Sequence, residues 1–155
     1  MAQFVKSCKQ TPKMSINRFD YGQNAYFLLQ IHDDEIAIAT IYGVVGVDIM
    51  IRMRIDAIRN TGGRCVISDM SHCVITVGDE IGALFGMVEA GGARDMPCAW
   101  VVPAAGARPW RTLSARMAYL GYSRRVFTAL PAAHAWVRRE LLLPAFEDHP
   151  HLLRC

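Results

Sequence analysis

The chain has 155 residues, 52% of them hydrophobic and 20% charged, with a formal net charge of +3. That length supports one domain with a real core, and that composition excludes a disordered chain. The basic excess is too small, and too little interleaved with aromatic residues, for a nucleic-acid arm. No apolar run reaches the roughly 18–20 residues that a bilayer span needs.

Residues 1–22 are polar and without a clear period, and carry all three lysines, Lys6, Lys9 and Lys13. They read as a flexible leader with no apolar core of a secretory signal, so the expected location is cytoplasmic. Residues 25–31 (AYFLLQI) and 35–42 (EIAIATIY) are strand candidates joined by the turn His32-Asp33-Asp34, which makes a β-hairpin. Gly43 breaks the alternation.

Val47–Asn60 reads as a helix, with Asp48, Arg52, Asp56 and Arg59 on a charged stripe and Val47, Ile51, Ile55 and Ile58 on a core stripe. Met50 and Met53 widen the apolar face, either into a deeper core contact or onto a partner chain, as in a homodimer. Thr61-Gly62-Gly63 ends the helix, because glycine accepts the left-handed C-terminal conformation. Residues 64–70 form a nearly continuous apolar strand, expected in the middle of a sheet.

Further along, 79–90 reads as a helix, 97–103 (PCAWVVP) as a strand and 109–120 as a helix bearing Trp110, Leu113, Met117 and Leu120. Residues 123–128 (SRRVFT) read as a short edge strand, 131–143 as a last helix with proline at its start, and 144–155 as a tail. The order β-β-α-β-α-β-α-β-α implies an α/β fold with a mostly parallel or mixed sheet and helices packed against it.

Several stretches resemble the STAS domains of anti-sigma-factor antagonists, in a divergent bacterial branch. They are Val66-Ile67-Ser68-Asp69-Met70-Ser71, the helix start Gly78-Asp79-Glu80, and Gly121-Tyr122-Ser123-Arg124-Arg125-Val126-Phe127 followed by Ala132-Ala133-His134-Ala135-Trp136-Val137. The resemblance covers about residues 25–143, within a single STAS-like domain over 23–143. It implies a non-enzymatic regulatory module that binds a protein, such as a regulatory kinase or another sigma-pathway protein. The family's switch serine lies in a D-S-S-G turn before the second helix. Aligned on that turn, Thr76-Val77-Gly78 offers no serine, and Thr76 is the nearest hydroxyl. A phosphate there would meet the free N–H groups of a helix start but also Asp79 and Glu80.

The residues themselves leave other chemistry open. Asp69, Ser71 and His72 cluster after a strand, as a hydrolase or a small-molecule cleft would need, and Cys73 adjoins them. A triad is defined by geometry in space, however, and no G-x-S-x-G elbow is present. Asp69, Ser71, His72, Thr76 and Gly78 are therefore the binding-loop candidates. Arg108, Arg111, Arg116, Arg124 and Arg125 form a second candidate, a patch for an anion or an acidic partner. The five cysteines contain no C-x-x-C pair, so no metal site and no cofactor is expected.

Overall fold

A computed structural model describes residues 15–22, 24–31, 35–76 and 96–142. One mixed sheet carries six strands in the order of the chain. They are β1 (Ile16–Asp20), β2 (Tyr26–Ile31), β3 (Ile36–Gly46), β4 (Cys65–Thr76), β5 (Cys98–Val101) and β6 (Arg124–Phe127). The first three are antiparallel, and β3 to β6 run parallel. Three described helices pack on it: α1 (Val47–Asn60), α2 (Ala107–Tyr119) and α3 (Leu130–Leu142). The expected α/β architecture is thus present. The expected helix 79–90, Gly78 and the tail 144–155 lie outside the described residues.

Alternation along β3 divides the core in two. Ala37 and Ala39 face α1 and α2, together with Phe27, Leu29, Met70 and Trp100. Ile36 and Ile38 face the other side, where Ile67, Ala99 and Val101 meet Ala133, Trp136 and Val137 of α3. Burying each large side chain contributes about 1.5–3 kcal/mol. Trp100 and Trp110 meet edge to face at 5.6 Å, which ties β5 to α2.

Four expectations change. Ile16–Asp20, read as leader, is an edge strand held by Phe19, whose ring stacks on Phe27 at 4.6 Å. Only Phe19 of its five residues turns an apolar group to the core, so the sequence carried little alternation there. Gly43 does not stop β3. Its φ of +94° lets the strand pass Asn24, whose carbonyl oxygen an added Cβ would overlap. Ser71 to Thr76 continue β4 rather than forming a loop.

The fourth concerns α1. Met50, Met53 and Ala57 are buried in the chain's own core, while Ile51, Ile55 and Ile58 are only half-buried. The methionines therefore do not form a surface for a partner chain. The helix starts directly from β3 at Gly46, with no side-chain cap. At its other end Gly62 and Gly63 both take positive φ, as a glycine-closed helix requires.

Candidate functional site

The candidate residues of β4 are set by an irregularity in its pairing with β3. Asp69 lies beside Thr40 and His72 beside Tyr42, so three steps on β4 match two on β3. This is a β-bulge, which inserts one residue and re-aims the side chains around it. Asp69 is 4% exposed, and its Oδ1 accepts hydrogen bonds from the Ser71 backbone N–H at 3.1 Å and the Ser71 hydroxyl at 2.6 Å. The carboxylate thereby closes the bulge.

His72 follows the bulge and goes elsewhere. Its exposed ring stacks on Tyr42 with centroids 5.3 Å apart. Tyr42 stacks in turn on Tyr26 at 4.9 Å, and the Arg18 Cζ lies 3.8 Å from the Tyr26 ring centre. Four side chains from four neighbouring strands thus form one row. The spacing of the rings follows the spacing of strands in a sheet. Arg18 is also held by Asp20 in a forked contact at 3.0–3.2 Å.

The row lies on the face of the sheet where, among the described residues, α3 packs over β4, β5 and β6 and shares a core with Ile36 and Ile38 of β3. Val44 and Val74 face each other across β3 and β4 on the same side and are 57% and 62% exposed. Ile16, at the far edge on β1, is 58% exposed. Beyond Asp69 no described strand pairs with the outer side of β4, because β5 ends at Val101 opposite Asp69. The ends of β3 and β4 therefore project as a two-stranded parallel extension, buried on one side by Val45 and packed there by Ile75 and Cys73.

Asp69, Ser71 and His72 come together in sequence but not as a triad. A triad places the imidazole between carboxylate and hydroxyl. Here Asp69 bonds Ser71 directly, and among the described residues His72 bonds neither. The Cys73 thiol is pushed up to about 11, first by burial and then by the Asp69 charge. A reactive thiol needs the opposite shift. Thr76 is the last residue of β4, opposite Gly46, and Gly78 falls outside the described residues.

The arginine patch separates. Arg108, Arg111 and Arg116 are exposed on α2. Arg124 is buried, with Nη1 donating to the Met96 carbonyl at 2.7 Å. Arg125 turns to the opposite face of β6, where its Cζ lies 5.5 Å from the Phe127 ring centre. Arg124 instead shares a cleft with Arg54 and Arg64, which the sequence reading assigned to a helix and a strand start. Helical spacing hides this, since Arg54 sits two positions from the charged stripe of Arg52 and Asp56.

The aromatic row was also missed. Tyr26, Tyr42 and His72 are far apart in the chain, and only the strand register joins them. No protein-family model matches the chain, and no curated protein is significantly similar to it. Among the described residues no helix is long and apolar enough to cross a membrane, and no group of three or more His, Cys, Asp or Glu side chains stands ready to hold a metal ion.

Proposed function

We propose that this chain is a non-enzymatic regulatory module of STAS-like fold that binds a protein partner on the open face of its sheet. The observation that carries the reading is the stacked row Tyr26–Tyr42–His72 beside exposed Val44 and Val74. Exposed apolar side chains gathered on one face, with polar groups at the rim, are the mark of an interaction site. Arg18 and Asp20 supply that rim. Their mutual pairing leaves the patch with little net charge, so the complementary surface is apolar rather than acidic. The resemblance to anti-sigma-factor antagonists points to a regulatory kinase or another protein of sigma-factor control as the partner. It also points to a surface without the serine switch, since Thr76 is the only hydroxyl near the aligned position.

The bulge supports a binding role for Asp69 and Ser71 at one remove. They hold the backbone turn that presents His72, and leave neither group poised as a nucleophile or base. A photo-crosslinking residue placed at Val74 in living cells tests the reading, with the same residue at Tyr119 as control. Tyr119 is 91% exposed on α2, away from the open face. The expected result is a defined crosslinked protein from position 74 that disappears with Tyr42→Ala and is absent from position 119. Equal crosslinking from both positions, indifferent to Tyr42→Ala, contradicts the proposal.

A further inference from the structure

The charges of the described residues are unevenly placed. Residues 96–142 hold seven arginines and a single acidic residue, Glu140, whereas the described residues before them hold five arginines and five acidic residues. α2 has no acidic residue, and its exposed side carries Arg108, Arg111 and Arg116. Among the described residues no carboxylate pairs with these three. Trp110, Leu113 and Met117 seat α2 on the sheet face opposite the aromatic row, so its outer side is a separate surface.

Successive residues of a helix turn by about 100°, so Arg108, Thr112 and Ala115 lie within about 60° of one another. Arg111 and Arg116 fall about 40° beyond them, one on either side. All five are exposed. Thr112 and Ala115 make a low floor, and the Thr112 hydroxyl is turned back to donate to the Arg108 carbonyl at 3.2 Å. Two arginines flank that floor and the third stands at its N-terminal end, over about 12 Å of helix.

Fold stability does not account for this arrangement. A cation in the first turn opposes the helix dipole. Arg108 is the second residue of α2, whose start has neither a side-chain cap nor an acidic residue. Arg108 and Arg111, three positions apart, also repel each other. Carboxylates from outside would offset both costs, and a guanidinium fork meets a carboxylate with two hydrogen bonds. A bilayer-binding helix sets bulky apolar side chains against its basic face, whereas small Thr112 and Ala115 stand between these arginines. A nucleic-acid surface needs a longer basic stripe with aromatic residues among the charges.

We propose that this face of α2 docks an acidic protein segment, whose carboxylates pair with Arg108, Arg111 and Arg116. The proposal rests on nothing in the open-face reading. Fluorescence anisotropy of a labelled oligoglutamate peptide with the full chain tests it, beside a single-stranded oligonucleotide of matched charge and vesicles of phosphatidylcholine with phosphatidylserine. The peptide should bind more tightly than either. Arg108→Gln, Arg111→Gln and Arg116→Gln should each weaken it about two- to fivefold, the size of an exposed ion pair, and together about tenfold or more. Arg59→Gln, Arg125→Gln and Arg139→Gln combined remove the same charge from exposed positions elsewhere, and should leave binding within about twofold of the parent. All six side chains are exposed, so thermal melts of the variants should match the parent's, and the single variants carry the same test at smaller size. Equal loss in the two triple variants makes the binding an effect of bulk charge and overturns the proposal. Absence of peptide binding, or tighter binding of the oligonucleotide or the vesicles, overturns it as well.

Discussion

The rings of Tyr42 and His72 lie 13° from parallel with their centres 5.3 Å apart, on adjacent parallel strands. The bulge at Asp69 makes this possible, since it restores the register that brings His72 beside Tyr42. Stacked aromatic pairs contribute about 0.5–1.5 kcal/mol beyond their buried area. A double-mutant cycle of Tyr42→Ala and His72→Ala, read by urea unfolding, should return a coupling of that size. Because both side chains reach the surface, the single variants should remain folded, so loss of partner binding can be separated from loss of structure.

Asp69 is expected to matter more for stability than for any chemical step. Asp69→Ala removes the acceptor for both the Ser71 N–H and the Ser71 hydroxyl. Ser71 is exposed, so water replaces part of what is lost, and the cost should be about 1–2 kcal/mol. Asp69→Asn keeps an acceptor oxygen and should cost roughly half as much. Denaturant midpoints of the two variants check the order. The Tyr42–His72 stack should loosen in Asp69→Ala, visible as a changed chemical shift of the His72 ring protons.

Gly43→Ala should be severely destabilising. The residue sits at φ +94°, and an added Cβ would also lie 2.9 Å from the Asn24 carbonyl carbon. Backbone strain and overlap together should cost about 2–4 kcal/mol. Gly22 provides the comparison: its φ is +78°, but nothing lies within 4 Å of the added atom. Gly22→Ala should therefore lose only about 1 kcal/mol, for conformation alone. Thermal melts of the two variants separate the effects.

Alkaline pH should weaken the fold through its thiols. Burial pushes Cys65 and Cys73 from 9.0 to about 11. Tyr21 is raised as well, by burial and by its hydrogen bond to the Asp56 carboxylate. The folded chain then keeps protons that the unfolded chain releases, so the stabilisation is complete below about pH 9 and is lost as pH rises toward 11. Urea midpoints across that window should fall, and Cys73→Ala should flatten the decline. At neutral pH the folded protein should alkylate at Cys65 and Cys73 far more slowly than the unfolded chain.

Local patterning made the strands and helices of the domain's centre legible. The run of Cys65, Val66 and Ile67 announced a central strand, and Trp110, Leu113 and Met117 announced the buried side of α2. What escaped depends on long-range register. The extension of β3 through Val44-Val45 and of β4 through Val74-Ile75 has β-branched residues, but Gly43 and the polar Ser71-His72 looked like stops. Gly43 is instead a point of close approach to Asn24, a contact between residues nineteen positions apart. On α1, isoleucine and methionine recur at overlapping spacings, so the pattern left open whether Met50 and Met53 deepen the core or face a partner; they deepen the core, with Ile51 and Ile58 packed at its edge. Asp69, Ser71 and His72 adjoin in the chain, but chain order could not tell that a bulge would join the first two and turn the third away.

The most direct test of the open face is hydrogen exchange on the purified complex with whichever protein crosslinks through position 74. Slowed exchange is expected in residues 40–46 and 71–76 on partner binding, with α2 unchanged. Protection confined to α2 or α3, with both strand ends exchanging as in the isolated chain, would contradict it.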